Sequence, residues 1–169
     1  MRGSEVPGVV VRGREPADVA GCVAALRAVH DADRYPTAWP ADPAAWLDPP
    51  GTTAAWVAEL DGTVVGHVCV APAPDAAVAA RTGVPAERLV AVKRLFTTPA
   101  ARGRGVGAAL VGVAAARAGD GVWLDVVDGE PAVAFYERLG WRRVGTRPAD
   151  WVALDGGRRT VHLYVAPVR

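Results

Sequence analysis

The order of the predicted elements indicates an α/β protein built on a mixed sheet. A strong hairpin signal, Asp61-Gly62 between two β-rich runs, predicts antiparallel strands in the first half of the chain. An apolar helical segment at residues 105–118, between two further strands, predicts a strand–helix–strand unit in the centre. The 169 residues suffice for one core, and no linker divides them. Residues 1–169 are therefore predicted to form a single domain with helices on the faces of the sheet.

Composition argues against several classes of function. A formal net charge of +1 argues against a dedicated nucleic-acid-binding protein, which usually carries a strong basic excess. No segment is long and apolar enough to cross a membrane, and no apolar signal region follows the N-terminus. Cys22 and Cys69 stand in apolar surroundings without metal-ligand spacing, which predicts two buried thiols and no metal site. A reducing, cytoplasmic compartment is expected.

In the first half of the chain each element follows from a local pattern. Residues 9–11 predict a strand, and the apolar spacing over residues 18–30 predicts a helix. Residues 31–40 form a loop rich in proline, aromatic and acidic residues. Asp42 before Pro43 predicts the N-cap of a short helix. The strands of the hairpin then cover residues 56–60 and 63–70.

In the second half of the chain strands alternate with helices. Strands are predicted at residues 89–98, 122–127 and 141–145, and helical segments at 75–80, 105–118 and 131–139. A terminal hairpin is expected from residues 151–154 and 160–165, with Asp155-Gly156-Gly157 as its turn.

The three histidines carry little functional signal. His67 alternates with Val68 and Val70, which predicts that its side chain lies on the opposite face of the sheet from these valines. His30 and His162 are expected at the surface or at a strand edge. No serine or cysteine is flanked by the elements that a catalytic nucleophile requires.

Arginine and glycine alternate immediately before the central helix, in Arg102, Gly103, Arg104, Gly105 and Gly107. A backbone with so little side-chain bulk lets several N–H groups point at one anion. The dipole of the following helix also favours negative charge at this end. The segment therefore predicts a site for a phosphate or a pyrophosphate.

Three interpretations of this segment compete. A P-loop is excluded, because no Gly-Lys-Ser/Thr follows the glycines. A dinucleotide fingerprint is matched by Gly103, Gly105 and Ala108, with Asp125 about twenty residues further on. Pro99 and the residues after it separate these glycines from the strand, and too little chain follows Asp125 for a doubly wound sheet. The third interpretation is an ordinary glycine-rich connection with solvated arginines.

Two motifs carry a family resemblance. The segment Arg102-Gly103-Arg104-Gly105-Val106-Gly107 resembles the acyl-CoA-binding motif Gln/Arg-x-x-Gly-x-Gly/Ala of the GNAT N-acetyltransferases. Residues 131–141, with Tyr136 and Leu139-Gly140-Trp141, resemble the family's later motif of an Ala, a Tyr and Leu-Gly-Phe. Both motifs stand in the family's order and spacing. The resemblance implies a central mixed, mostly antiparallel sheet of six to seven strands flanked by about four helices.

The same resemblance implies acetyl-CoA as co-substrate. Backbone amides of residues 102–108 would hold the pyrophosphate, and the preceding strand, which splays from its neighbour in the family, would present backbone groups to the pantetheine arm and the thioester. The chain departs from the family at Gly129, where Asn is frequent, and at Trp141, where Phe is more common. The implied cofactor-binding residues are Leu95, Phe96, Thr97, Arg102, Gly103, Arg104, Gly105, Val106, Gly107, Ala108, Gly129 and Tyr136.

Acetyl transfer to an amine needs a proton donor for the thiolate and a neutral amine. Tyr136 is the candidate general acid by resemblance; the alternative is a half-buried structural tyrosine. Val90 and Ala91 occupy the positions where some relatives carry a basic glutamate. Glu87, just before the strand, and Asp125, in the following strand, are the candidate catalytic carboxylates. The alternatives are a structural or solvated role for both residues and deprotonation through a water chain to bulk solvent.

The acceptor pocket of relatives is built from the part of the chain that corresponds to residues 31–39 and the short helix with Trp46. Asp33, Tyr35 and Trp39 are the candidate substrate-binding residues, suited to a cationic or aromatic amine through charge and cation–π contact. Trp46 is expected to cover the core.

The sequence therefore predicts transfer of acetyl to a primary amine of a small molecule or peptide, by direct attack in a ternary complex. A monomer or homodimer is expected, with no nucleic-acid or membrane partner. A non-catalytic acyl-CoA sensor and a nucleotide-cofactor oxidoreductase are the alternatives.

Overall fold

A computed structural model describes residues 8–168, which contain seven strands and five helices. The strands are β1 Val9–Gly13, β2 Ala54–Leu60, β3 Thr63–Pro72, β4 Val90–Thr97, β5 Val122–Val127, β6 Arg142–Pro148 and β7 Thr160–Val165. The helices are α1 Val19–Asp33, α2 Pro43–Trp46, α3 Ala76–Thr82, α4 Val106–Ala118 and α5 Pro131–Arg138. Single 3₁₀ turns cover Pro16–Asp18, Ala86–Arg88 and Pro99–Ala101.

The strands form one sheet in the order β1-β2-β3-β4-β5-β7-β6. The β1–β2, β2–β3, β5–β7 and β6–β7 pairs are antiparallel. The β4–β5 pair is parallel and joins Val90 to Val122 and Ala91 to Trp123. The helix α4 connects these two strands, as a parallel pair requires. The predicted mixed sheet with flanking helices is confirmed.

Contacts within the chain group it into two compact units, each with its own core. The first unit runs to Ala71 and includes Val92–Arg117; the second comprises Pro72–Ala91 and the chain from Ala118. The core of the first unit contains Cys22, Ala25, Leu26, Val29, Leu47, Val57 and Phe96. The core of the second contains Val78, Leu89, Ala91, Trp123, Val144, Leu163 and Val165. The single domain over residues 1–169 stays a prediction.

Several turns and helix caps form where the local sequence predicts them. Asp61 and Gly62 both have positive φ, 50° and 77°, as a two-residue hairpin turn with matching twist requires. The Asp42 side chain accepts a hydrogen bond from the N–H of Ala45 at 2.9 Å and caps α2. Asp75 caps α3 in the same way through Val78 N–H at 2.9 Å. These turn and cap residues act through neighbours a few positions away, which is why sequence patterns reveal them.

The first helix differs from its predicted bounds at both ends. Pro16 opens a separate 3₁₀ turn, and α1 begins at Val19. The helix continues beyond the predicted His30 to Asp33, and Arg34 ends it at φ 57° with its N–H on the His30 carbonyl. Asp33 therefore lies in the last helical turn and not in a loop.

The predicted terminal hairpin is wrong. Residues 151–154 form no strand, and the side chains of Trp151, Val152 and Leu154 are 42%, 58% and 77% exposed. The strand β7 instead pairs with β5 on one side and β6 on the other. Because both edges of β7 are occupied, no edge remains for residues 151–154, and they become part of the long β6–β7 connection.

Candidate functional site

The glycine-rich segment forms the entry to α4. After β4 ends at Thr97, a 3₁₀ turn covers Pro99–Ala101 and the helix begins at Val106. Gly103 and Gly105 have φ of 74° and 76° and flank Arg104, and residues 102–105 are exposed. A backbone with such left-handed residues can turn successive N–H groups toward one anion, beside the positive end of a helix dipole. The sequence-predicted anion site thus has the backbone that it needs.

Gly66 on β3 allows the helix that follows this loop to pack closely against the sheet. A Cβ at Gly66 in β3 would lie 2.8 Å from Leu110 Cδ1, 3.2 Å from the Phe96 carbonyl oxygen and 3.3 Å from Val106 Cγ1. Only glycine allows α4 and β4 to approach β3 this closely. Sequence reasoning did not single out Gly66, although a glycine inside a strand is a recognised sign of close backbone approach.

Arg102 joins the loop to the end of α1. Its Nη2 group forms an ion pair with the Asp33 carboxylate and donates a hydrogen bond to the Thr97 carbonyl at 3.3 Å. The structure thus brings together two predicted cofactor-binding residues and one predicted substrate-binding residue. The Asp33 carboxylate is engaged by an arginine of the chain itself.

β4 is continuous but distorted at Arg94, which has a φ of 54° in the interior of the strand. The Arg94 carbonyl accepts a hydrogen bond from Nδ1 of His67 at 2.9 Å, and the His67 ring stacks on Phe96 at 5.4 Å. His67 is fully buried, and burial lowers its pKa to about 4, so the imidazole is neutral near pH 7. His67 therefore holds the distorted backbone of the strand predicted to meet the thioester.

Residues 31–39 and the helix α2, here called the acceptor segment, pack aromatic rings on the core of the first unit. Trp39 and Trp46 both contact that core, as expected for Trp46. The Arg27 guanidinium lies over Trp39 at 4.8 Å, and the Arg94 guanidinium lies over Trp46 at 4.1 Å. Tyr35 is 38% exposed and meets Trp46 edge-on at 5.8 Å. Arginines of the chain thus already cover one face of each tryptophan.

In the second unit Tyr136 lies in an aromatic cluster. It is 7% exposed on α5, and its ring centroid lies 5.6 Å from that of Trp141 and 6.4 Å from that of Tyr164. The tyrosine on β7 donates its hydroxyl proton to Glu137 at 2.8 Å, and Arg143 donates to the same hydroxyl. Trp141, which replaces the family's usual Phe, packs directly against Tyr136.

The other candidate residues of the second unit are solvent-facing. Glu87 is exposed in the 3₁₀ turn Ala86–Arg88. Asp125 is exposed on β5 between buried Leu124 and Val126. Gly129 has a φ of 81°, and a Cβ there would meet nothing within 4 Å. The requirement for glycine at 129 is therefore conformational and not steric.

Two histidines expected at the surface or a strand edge are buried. His30 and His162 are each 7% exposed. Nδ1 of His30 lies 2.7 Å from the Pro36 carbonyl oxygen. Nε2 of His162 lies 2.8 Å from Asp128 and its Nδ1 2.8 Å from Thr146 Oγ1. The His30 ring is held by the loop that follows its helix, whereas both nitrogens of His162 have partners 16 and 34 residues away, which short-range alternation does not reveal.

Within residues 8–168, no three His, Cys, Asp or Glu side chains converge as metal ligands would. None of the helices in the same residues has the length and apolar character needed to cross a membrane. The predicted cytoplasmic location stays a prediction.

A family model described as acetyltransferase (GNAT) family matches residues 21–141, which include the glycine-rich loop, α4 and Tyr136. The chain belongs to the GNAT acetyltransferase family. Enzymes of this family use acetyl-CoA as co-substrate. The resemblance seen in the two sequence motifs, the fold and the acyltransferase class are confirmed.

Solved structures agree with this family assignment. A GCN5-related N-acetyltransferase from Kribbella flavida is 26% identical, with 97% of this chain and 100% of that chain covered and a TM-score of 0.66. Arabidopsis thaliana NAA60 in complex with acetyl-CoA is 18% identical, with coverage of 95% and 99% and a TM-score of 0.72. The ribosomal-protein-S18-alanine N-acetyltransferase from Escherichia coli is 15% identical, with coverage of 95% and 96% and a TM-score of 0.65. No curated protein sequence matches the chain.

For this GNAT acetyltransferase, the dinucleotide alternative no longer holds. Residues 98–105, including a 3₁₀ turn, separate β4 from α4, whereas a dinucleotide fingerprint occupies a tight strand-to-helix turn.

Proposed function

We propose that this enzyme transfers an acetyl group from acetyl-CoA to a primary amine of a small molecule or peptide, by direct attack in a ternary complex. One observation carries the proposal: Gly103 and Gly105 adopt left-handed conformations at the entry to α4, within the residues matched by the family model. This backbone suits the pyrophosphate of a CoA ester. A monomer or homodimer stays a prediction.

The residues present fit this co-substrate. Backbone N–H groups of residues 102–108 would supply donors, and the guanidinium group of the exposed Arg104 would add positive charge for two phosphates. Backbone groups of Leu95, Phe96 and Thr97 would bind the arm that carries the acetyl group. Gly129 and Tyr136 complete the proposed set.

Acetyl-CoA supplies an activated thioester, and the chain must supply orientation and proton transfer. Tyr136 is the proposed general acid, because its place in the family motif coincides with a largely buried hydroxyl-bearing ring. Glu87 and Asp125 are the proposed carboxylates for deprotonating the amine. Asp33, Tyr35 and Trp39 are the proposed acceptor-side residues.

Substitution at Gly105 tests the cofactor site. Gly105→Glu should weaken CoA binding by at least about ten-fold, or 1.4 kcal/mol, because it adds a negative charge and a Cβ at a φ of 76°. The matched control is Gly112→Glu within α4, where an added Cβ meets nothing within 4 Å. Calorimetric titration with CoA measures both variants, and retained affinity in Gly105→Glu would refute the site.

Substitution of Tyr136 tests the general acid. Tyr136→Phe should lower kcat by about 10²-fold with little change in CoA affinity, because the variant lacks the hydroxyl that would protonate the thiolate. Tyr164→Phe, at the buried hydroxyl bonded to Glu137, is the control for the loss of a buried hydroxyl. Free thiol released from acetyl-CoA with an amine panel measures turnover. Unchanged turnover in Tyr136→Phe would remove Tyr136 from the mechanism.

The sensor alternative gives a different result in the same assay. A non-catalytic acyl-CoA-binding protein would bind CoA and release no thiol with any amine of the panel. Thiol release from the unmodified protein therefore decides between the two.

A further inference from the structure

Arg94 has the most unusual backbone conformation in β4. Its φ of 54° lies in the left-handed region, which non-glycine residues rarely adopt inside a strand. Such conformations persist only where the surrounding structure holds them, and they concentrate at ligand-binding and catalytic positions. Here the distortion lies at the start of the segment proposed to bind the acetyl-bearing arm, which makes the Arg94 side chain a candidate for ligand recognition.

The Arg94 side chain is fixed by neutral groups. Its Nε–H donates to the Trp46 carbonyl at 2.9 Å, and its guanidinium lies 4.1 Å from the centroid of the Trp46 ring. Among residues 8–168, no carboxylate lies within ion-pair distance of Arg94. A guanidinium has five N–H donors, and only one of them goes to Trp46. The structure therefore presents a positioned cation without a carboxylate partner.

Several acidic groups in and next to the acceptor segment already have partners within the chain. Asp31, Asp33 and Asp48 form ion pairs with Arg27, Arg102 and Arg14, and Asp42 accepts the N–H of Ala45 as the N-cap of α2. Trp39 carries a guanidinium over its ring as well. These groups therefore offer little attraction to a second cation, whereas Arg94 attracts an anion.

We propose that Arg94 binds an oxyanion, a carboxylate or a phosphate, carried by the amine acceptor. The planar fork of a guanidinium matches either group. Arg94 lies on β4, the strand proposed to bind the acetyl-bearing arm, and its guanidinium contacts Trp46 of the acceptor segment. The residue therefore connects the strand proposed for the acetyl donor with the segment proposed for the amine acceptor. This inference rests on the proposed acetyl transfer and names its substrate class: small amines with an acidic group.

Matched ligands separate charge recognition from simple amine binding. The protein is saturated with CoA and titrated calorimetrically with α-amino acids and their carboxamides, and with O-phosphoethanolamine and ethanolamine. We expect at least one acidic ligand to bind ten-fold or more tightly than its neutral counterpart. The carboxylate and phosphate arms then show which oxyanion is preferred. Equal affinity within every pair, or no binding of any acidic ligand, would overturn the inference.

Substitutions at Arg94 test whether this side chain recognises the oxyanion. Arg94→Gln should abolish the preference for the acidic ligand, and Arg94→Lys should retain part of it, with CoA affinity unchanged in both. Arg117→Gln is the matched control, because Arg117 is exposed in the last turn of α4, outside the acceptor segment. Survival of the preference in Arg94→Gln, or an equal loss in Arg117→Gln, would overturn the assignment.

The acetyl-transfer assay keeps the two proposals distinguishable. Thiol release with neutral and acidic amines at equal efficiency would support the proposed function and overturn the oxyanion site. An absence of thiol release would refute the proposed function, while the titration of the CoA-saturated protein still decides whether Arg94 binds an oxyanion.

Discussion

At the scale of single residues, His67 links the side chains around β4. The Arg94 carbonyl can only accept, so His67 donates from Nδ1; the Arg14 guanidinium can only donate, so Nε2, 3.0 Å away, accepts. Both contacts require the same neutral tautomer. A protonated ring would lose the Arg14 contact and place two cations together. The hydrogen bonds and the burial thus agree on an uncharged imidazole.

This arrangement predicts a pH-dependent stability. Burial lowers the pKa of folded His67 to about 4 from 6.5, so the unfolded chain binds more protons between these values. Stability from this residue is present above pH 6.5 and is lost as the pH falls toward 4. Between pH 7 and pH 5 the free energy of unfolding should fall by about 2 kcal/mol through His67 alone.

Denaturant unfolding at the two pH values measures the effect. His67→Leu lacks the titrating group, so its free energy of unfolding should fall less between pH 7 and pH 5 than that of the unmodified protein, although the variant is less stable at pH 7. An equal fall in both proteins would show that His67 does not carry the dependence.

At the scale of elements, the proposed pyrophosphate site depends on how α4 is seated. The buried residues Val106, Leu110, Val111 and Ala114 form the inward side of α4, and Val106 is its first residue. Because Gly66 approaches the first two of these residues, Val106 and Leu110, the close packing fixes the N-terminus of the helix and the loop before it.

Gly66→Ala should therefore destabilise the protein by about 1–3 kcal/mol, because the added methyl group meets Leu110, Val106 and a backbone oxygen. The change should also weaken CoA binding, since the helix entry moves with α4. Gly13→Ala on β1, where nothing lies within 4 Å, is the control and should stay within about 0.5 kcal/mol. Equal stability of the two variants in urea unfolding would contradict this close packing of α4 against β3.

At the scale of the whole molecule, the two thiols report on unfolding. Cys22 on α1 and Cys69 on β3 are both fully buried, and burial raises the pKa of each to about 11. A thiol that is both protonated and inaccessible does not attack a disulfide reagent.

The folded protein should therefore give no reaction with a colorimetric disulfide reagent at pH 8, and two thiols per chain should react in denaturant. Ala77→Cys on the exposed side of α3 should react at once and serves as the positive control. Fast labelling of the unmodified folded protein would show that the first unit opens readily. The same reagent can then measure CoA release without background from the enzyme.

The sequence alone determined the parts of the protein that depend on near neighbours. Asp61-Gly62, the Asp42 and Asp75 caps and the glycine-rich entry to α4 all act within a few residues, where spacing and residue type suffice. The motif around Tyr136 likewise identified the family. Patterns failed at residues 151–154, because the partners of β7 are chosen by strands far along the chain.

Only the tertiary structure decided what the polar residues of the site contact. Asp33 meets Arg102 from 69 residues away, Arg94 meets the carbonyl of Trp46 from 48 and His67 meets Arg94 from 27. Such pairs form because packing of the sheet and helices brings distant side chains together, and no local period encodes them. The loop proposed to bind an anion could thus be predicted from the sequence, whereas Arg94, proposed to select the acceptor, was identified only from the tertiary structure.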